Sequence, residues 1–173
     1  MKLTDSRDIR ATPQAVWAAI LDAQVLKDCI PGCESMAGSV ADGYQAVVKQ
    51  KIGPVSATFT GIVTLSDIVQ GKSVRISGEG KGGVAGYARG GASVTLEPIP
   101  SGTRLSYDVD ASVGGKIAQL GSRIIDGVAK RLADEFFARF QARVEGPLPV
   151  EPVAEVAEVE EKKKSWFKRL IGA

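Results

Sequence analysis

The sequence predicts an α+β domain in which a curved antiparallel sheet of about six to seven strands wraps around a long C-terminal helix. Two short helices are expected after the first strand. Apolar and polar residues alternate over much of residues 33–111, which is typical of half-buried strands. From residue 115 to residue 144, apolar residues instead recur at steps of three and four, which is typical of a helix. A sheet of this length must curl, and only the long helix can cover its concave face.

The segment before the sheet predicts one strand and two short helices. Residues 3–11 alternate between apolar and polar side chains, as in a half-exposed strand. Thr12 and Pro13 are residue types preferred at the N-cap and at the first position of a helix, respectively. A second short helix over residues 25–30 is expected to end at Pro31 and Gly32.

Five alternating sets of residues predict the remaining strands. They begin near Tyr44, Val55, Val74, Val94 and Leu105. Short turn segments rich in Gly, Pro and Asp separate most of them, for example residues 53–54 and 98–102. Consecutive strands joined by turns this short are expected to pair antiparallel.

A single long helix, about 40 Å in length, is predicted over residues 115–144. Gly121 and Gly127 weaken a helix, so they indicate either close packing of the helix on the sheet, which we favour, or a mobile lid. Gly146 and Pro147 end the helix. The predicted domain spans residues 1–145, and residues 146–161, rich in Pro, Val and Glu, are expected to form a disordered linker.

Residues 162–173 predict a basic amphipathic tail that contacts a membrane surface. As a helix, this segment would gather its large apolar side chains within about 140°, opposite most of its basic ones. Such a helix lies reversibly in a membrane surface. Docking to a partner protein and a solvated tail without function are the alternatives. The predicted membrane-binding residues are Lys162, Lys163, Lys164, Trp166, Phe167, Lys168, Arg169, Leu170 and Ile171.

Composition excludes several classes of function. The formal net charge of +2 is too small to indicate nucleic-acid binding. The chain contains no histidine, which excludes Ser-His-Asp and Cys-His triads and zinc sites built on histidine. Asp108 and Asp110 share a strand face with Arg104, which is typical of an exposed polar surface. We therefore predict no catalytic residue and no metal site.

The sequence also indicates a cellular location. The first residues lack the apolar core of a signal peptide, and no apolar run approaches the roughly 20 residues of a spanning helix. With the tail described above, we expect a cytoplasmic protein that associates peripherally with the inner face of the cell membrane. Cys29 and Cys33 are then expected to be thiols. We expect both to be buried and unreactive, with a docking loop for a partner as the alternative.

A cavity is expected where the curved sheet grips the long helix. Small residues dominate residues 83–91, which indicates either bends in the sheet or space for a ligand. Apolar walls with a few hydroxyls suit a hydrophobic molecule with a polar head, such as a quinone. For each residue alone, an ordinary core position is the alternative. The candidate lining residues are Phe59, Val63, Ile76, Tyr87 and Tyr107 from the sheet, and Leu120, Gly121, Ile124 and Val128 from the helix.

Several motifs resemble a known family. Residues 11–17, Ala-Thr-Pro-Gln-Ala-Val-Trp, resemble the opening of the START-like, helix-grip superfamily, also called SRPBCC. Residues 26–34, Leu-Lys-Asp-Cys-Ile-Pro-Gly-Cys-Glu, resemble more narrowly the family of CoxG, a carbon monoxide dehydrogenase subunit. The helix over residues 115–129, the Gly-rich residues 78–91 and the Ala-Asp-Glu-Phe-Phe run at 133–137 are similar to that family too. The resemblance covers about residues 1–145.

The resemblance implies a helix-grip fold and an accessory protein, without a catalytic centre, of a molybdenum hydroxylase of the carbon monoxide dehydrogenase type. It also implies association with the cytoplasmic membrane surface and a hydrophobic small molecule or lipid held under the long helix. We expect no cofactor other than such a bound molecule. A quinone as that molecule is inferred from the expected cavity and membrane location. The alternatives are a maturation factor for the molybdenum enzyme and a small-molecule enzyme on the same fold.

Overall fold

The structure, a computed structural model, describes residues 1–146 of the chain. Within them, seven strands and three α-helices follow one another, with 3₁₀ turns at Gly83–Ala85 and Gly115–Leu120. The helices are α1 (Pro13–Ile20), α2 (Ala23–Cys29) and α3 (Ser122–Glu145). The strands are β1 (Lys2–Ile9), β2 (Cys33–Ser39), β3 (Gly43–Ile52), β4 (Val55–Val69), β5 (Ser73–Lys81), β6 (Tyr87–Ile99) and β7 (Gly102–Gly114).

All seven strands form one antiparallel sheet in the order β1-β7-β6-β5-β4-β3-β2. Strands β2 to β7 form a meander, in which each strand pairs with the next. Strand β1 instead pairs with the last strand, from Lys2 opposite Asp110 to Ile9 opposite Thr103. With α3 across the sheet and two short helices after β1, this arrangement confirms the predicted α+β helix-grip architecture.

Side-chain caps start both short helices where the sequence predicts helices. Thr12 precedes α1, and its hydroxyl accepts a hydrogen bond from the backbone N–H of Ala15 at 3.2 Å. Pro13 occupies the first turn, where no N–H is needed. Asp22 caps α2 by accepting hydrogen bonds from the backbone N–H groups of Gln24 and Val25. The two helices connect β1 at one edge of the sheet to β2 at the other.

The single helix predicted over residues 115–144 is wrong, because the structure divides it at Gly121. Residues Gly115–Leu120 form a 3₁₀ turn, and α3 begins only at Ser122. Gly121 has φ +91° and ψ 157°, a backbone conformation that is essentially restricted to glycine. Ile117 in the turn is buried like a core residue of a helix. Its spacing from the apolar residues of α3 therefore resembles that of one continuous helix.

The hydrophobic core occupies only one end of the space between α3 and the sheet. The second half of α3 contributes Phe137 and Phe140, which pack against α1, α2 and the strands. Trp17 and Leu105 lie in the same buried cluster. The first half of α3 contributes no fully buried side chain. The other end of the space is therefore left for the cavity described below. No helix among residues 1–146 is long and apolar enough to cross a membrane.

Candidate ligand-binding cavity

A cavity of about 960 Å³ lies between the inner face of the sheet and α3. Its walls are mostly apolar, and four parts of the fold supply most of them. Strands β3 to β7 supply the sheet side, and α2 with Pro31 closes one flank. The first three turns of α3 and the 3₁₀ turn before it supply the other side, through residues such as Ile117, Ile125, Ala129 and Leu132.

Aromatic rings close the cavity at the end next to the core. Tyr107 of β7 and Phe137 of α3 stack with ring centroids 4.7 Å apart and ring planes 11° from parallel. Phe136 meets Phe137 edge to face at 5.0 Å. All three residues line the cavity. Together they form a floor that separates the empty space from the packed core.

An ion pair lies beside this floor. The Arg7 guanidinium contacts the Asp134 carboxylate at 2.7 Å and lies over the Phe137 ring, 5.5 Å from its centroid. Burial raises the pKa of Tyr107, and the nearby Arg7 opposes this shift only in part. The phenol of Tyr107 therefore stays neutral at physiological pH. The pair also ties β1 to α3 next to the cavity floor.

The far end of the cavity is open to solvent. Ala118, Gly121 and Ser122 belong to its lining and are exposed. Asp126, also exposed, follows one turn later on α3. The cavity therefore has an apolar, closed end at the aromatic floor and a polar, open end at the start of α3.

The flank of the cavity depends on a close approach between two backbones. Gly32 has φ +76°, and a Cβ atom there would collide with the carbonyl oxygen of Lys49 on β3. The Lys49 N–H donates to the Gly32 carbonyl at 2.9 Å. Gln50 donates from its side-chain amide to the Pro31 carbonyl. These bonds hold the α2–β2 connection against the sheet beside the cavity.

The prediction that Gly121 and Gly127 mark close packing of the helix on the sheet is wrong. A Cβ atom built at either position would meet nothing within 4 Å. Both glycines are exposed. The small residues in the first half of α3 leave open space instead of bringing the helix closer to the strands.

The structure brings five of the nine predicted lining residues to the cavity, namely Phe59, Ile76, Tyr107, Gly121 and Val128. The other four do not belong to its lining. Val63 faces inward but packs beside Gly78, farther along the sheet. Tyr87 is exposed, with its ring over Gly114. Leu120 and Ile124 lie beside the Gly53 turn.

The sequence reasoning missed several lining residues. Because α3 starts at Ser122, residues 125, 129 and 132 face the cavity where residues 120 and 124 were expected. It also missed the flank formed by Leu26, Ile30 and Pro31. The alternation of Val48, Gln50 and Ile52 on β3 could have indicated three more, since all of them line the cavity.

Both cysteines lie near this flank as free thiols. Cys29 is buried in the core and Cys33 is half-buried at the start of β2. Burial raises the pKa of each thiol. The neutral form of each thiol therefore predominates, and the low reactivity of the two thiols stays a prediction. No group of three or more His, Cys, Asp or Glu side chains that could hold a metal ion occurs within residues 1–146.

The outer face of the sheet carries a second, more open groove of about 570 Å³. Charged side chains line it, including Arg75, Glu79, Arg89 and Asp110. The neighbouring outer surface is polar too, since Arg104 forms an ion pair with Asp8 at 2.8 Å. This groove offers little apolar surface, so the inner cavity is the better candidate for a hydrophobic ligand. The predicted linker and membrane-binding tail lie outside the described residues.

Comparisons with solved structures place the fold among known proteins. A conserved protein from Geobacillus kaustophilus is 31% identical, with 83% of this chain and 95% of that chain covered and a TM-score of 0.77. A START superfamily protein from Mycobacterium smegmatis is 14% identical, covers 83% and 97% of the two chains, and has a TM-score of 0.62. A protein from Chromobacterium violaceum is 19% identical, covers 84% and 99%, and has a TM-score of 0.61. The latter two likenesses show the fold alone.

A family model identifies the sequence more narrowly. Residues 6–145 match the model of the carbon monoxide dehydrogenase subunit CoxG. This match covers nearly all of the described residues. No curated protein matches the sequence. The matched region contains all of α3 and, apart from Met1 and the first residues of β1, the whole sheet and the cavity lining. The chain therefore belongs to the CoxG family of carbon monoxide dehydrogenase subunits.

Proposed function

We propose that this protein is a non-catalytic accessory protein of a molybdenum-containing enzyme of the carbon monoxide dehydrogenase type. It carries a hydrophobic molecule, such as a quinone, and recruits the enzyme to the inner membrane. Family membership supports the association with the dehydrogenase. The observation that supports the carrier role is the apolar cavity under α3. Its volume of about 960 Å³ is at the upper end of the roughly 300–1,000 Å³ typical of small-molecule sites.

The two ends of the cavity define how such a ligand would bind. The apolar part would contact the rings of Tyr107 and Phe137 at the closed end. The polar head would remain near Ser122 and Asp126 at the open end, where water completes its hydrogen bonds. A quinone with a short isoprenoid tail matches this distribution.

A matched pair of variants on α3 tests the carrier role. Ala129 lines the cavity, whereas Ala138 lies on the exposed face of the same helix. The Ala129→Phe variant should lower the affinity for a short-tail ubiquinone by about tenfold or more, because the added ring takes up ligand space. The Ala138→Phe variant should bind it normally. Calorimetric titration of the full chain measures both.

Extraction of the purified protein with organic solvent provides a second measurement. Mass spectrometry of the extract should show an apolar molecule bound to the native chain and absent from the Ala129→Phe variant. An empty native chain that also takes up no ubiquinone would rule out the carrier role. Binding to a purified carbon monoxide dehydrogenase-type enzyme tests the accessory role separately.

Recruitment to the membrane depends on residues 162–173, which stay a prediction. A chain that lacks these residues should sediment less with vesicles that contain anionic phospholipid. Unchanged sedimentation would contradict the predicted role of the tail and would leave the ligand-binding proposal intact.

A further inference from the structure

Basic residues are concentrated in three segments of the domain. Residues 49–60, 80–90 and 111–125 contain six basic residues and no acidic residue. The rest of residues 1–146 contains eleven basic and fifteen acidic residues. We name the three segments together the open-end surface, since each supplies residues to that end of the cavity or to its rim. The basic residues of this surface are Lys49, Lys51, Lys81, Arg89, Lys116 and Arg123.

The three segments lie together in the fold. The 3₁₀ turn Gly83–Ala85, between β5 and β6, contacts both β4 and the second 3₁₀ turn, Gly115–Leu120. The turn at Gly53 lies next to Leu120 and Ile124, because a Cβ atom at Gly53 would be 3.7 Å from both side chains. The segments therefore form one end of the molecule, on the side where the cavity opens.

All six basic side chains are exposed, and none of them forms an ion pair with a carboxylate of residues 1–146. Three acidic residues border the segments: Glu79 pairs opposite Arg89 on the neighbouring strand, Asp110 lines the same outer groove as Arg89, and Asp126 lies at the open end of the cavity. With these three included, the six basic residues still outnumber the acidic ones at this end, which therefore carries a net positive charge.

Large apolar side chains are exposed at the same end. Val84 is 89% exposed, at the tip of the turn between β5 and β6. Tyr87 and Ile124 are 42% and 41% exposed. Exposed apolar groups surrounded by basic residues are typical of surfaces that insert shallowly between lipid headgroups. We favour a bilayer over an acidic partner protein because the cavity, which suits an apolar ligand, opens at the same end.

We propose that the open-end surface is a docking site for a bilayer containing anionic phospholipid, distinct from the C-terminal tail. The basic residues would contact headgroup phosphates while Val84 enters the headgroup region. The acidic excess on the rest of the domain would be repelled, so the cavity would face the bilayer. The inference rests on the proposed function in one respect: an apolar ligand that moves between bilayer and cavity would then avoid water.

Two pairs of exposed residues at opposite ends of the sheet test the docking site in the full chain. Lys81 ends β5 at the open-end surface, and Lys72 immediately precedes the same strand at the other end. Val84 is likewise matched by Val69, which is 50% exposed at the end of β4. The variants are Lys81→Glu with control Lys72→Glu, and Val84→Gln with control Val69→Gln.

The measurement is sedimentation with vesicles of phosphatidylcholine and phosphatidylglycerol in a 7:3 ratio. Reversal of one charge should lower the partition coefficient of Lys81→Glu about tenfold, because it removes one attraction and adds one repulsion. Val84→Gln should lower it about threefold. The two controls should bind like the native chain, and thermal unfolding checks that all four variants fold. The difference between Lys81→Glu and native should shrink at high salt.

Equal binding by each variant and its control would overturn the inference. So would normal vesicle binding by Lys81→Glu together with lost binding to a purified dehydrogenase, since the surface would then dock a protein. These outcomes differ from failure of the proposed function, which is an empty native chain that binds no ubiquinone.

Discussion

Tyr107 and Phe137 stack face to face, with ring centroids 4.7 Å apart, and so join the sheet to α3 at the boundary between core and cavity. On one side, this pair packs against the hydrophobic core, and on the other side it borders the cavity. The same helix should therefore respond very differently to truncation on the two sides of the boundary.

Truncation of Phe137 should destabilise the domain strongly. The Phe137→Ala variant should lose about 3–5 kcal/mol of unfolding free energy, because it removes a buried ring and the stack on Tyr107. Leu132→Ala is the control, since Leu132 borders the cavity and is only half-buried. It should lose less, about 1–2 kcal/mol. Urea unfolding measures both, and equal losses would contradict the boundary between core and cavity.

Substitution of Gly127 should stabilise the protein. Gly127 lies inside α3, and a Cβ atom there would meet nothing within 4 Å. Gly127→Ala should therefore raise the unfolding free energy by about 0.5–1 kcal/mol through helix propensity. A loss of stability in thermal or urea unfolding would show that the helix packs more closely there than the structure indicates.

The same substitution at Gly121 should have the opposite sign. The space around Gly121 is also open, but its φ of +91° and ψ of 157° are poorly accessible to alanine. Gly121→Ala should cost about 1–3 kcal/mol in unfolding free energy. Because the two glycines differ mainly in backbone conformation, the comparison isolates the break between the 3₁₀ turn and α3. A neutral Gly121→Ala would contradict that break.

The two thiols should differ in accessibility. Cys33 is half-buried and Cys29 is only 1% exposed. Burial raises the pKa of both thiols, so alkylation by iodoacetamide at neutral pH should be slow. Intact-mass spectrometry should show a single adduct on the native protein, at Cys33, and a second only after unfolding. The Cys33→Ser variant should remain unmodified while folded. Rapid double labelling would contradict the burial of Cys29.

Acid should destabilise the domain through two carboxylates. A hydrogen bond from Arg104 lowers the pKa of Asp8 below the ordinary value of an aspartate. Partial burial raises the pKa of Asp134, but hydrogen bonds from Arg7 and Lys130 outweigh burial and lower that pKa overall. A carboxyl group whose pKa is lower in the folded than in the unfolded state stabilises the protein at pH values above its unfolded-state pKa. This contribution is lost as the pH falls through the folded-state pKa.

Stability should therefore stay nearly level from about pH 7 to pH 5 and fall below about pH 4. The Asp8→Asn and Asp134→Asn variants should each show a shallower fall in urea unfolding measured across that range. Asp67→Asn is the control, since Asp67 forms no ion pair within the described chain. Steeper acid loss in either variant would contradict the direction of the shifts.

Most of the sheet could be predicted from local alternation, but β2 could not. Residues 33–39 read Cys-Glu-Ser-Met-Ala-Gly-Ser and show no clear apolar alternation. They form a strand because β3 pairs with them and α2 lies beside them. Such support comes from residues distant in the sequence, so a local pattern does not contain it.

The cavity could be predicted in kind but only partly in detail. Alternate residues of a strand point to the same face of the sheet. The alternation in the sequence therefore predicted that Phe59, Ile76 and Tyr107 lie on the inner face, where they line the cavity. The helix side depended on where α3 starts, because a break at Gly121 changes which residues face the sheet. A glycine in a helix can allow close packing against the sheet or can leave open space beside it. Which of the two occurs depends on the distance between the helix and the sheet, and a single sequence does not contain that distance.

The pairing of β1 with β7 determines when the domain can fold during synthesis. Ile9 pairs with Thr103, and Lys2 with Asp110, so the first strand has its partner about one hundred residues later. At about 5–20 residues per second, a ribosome needs roughly 5–20 s to make that distance. During this time β1 has been synthesised but its partner strand β7 has not. Strands β2 to β7 can pair one after another as they are made, because each pairs with the next. The sheet can therefore acquire its first-made strand only after its last-made one.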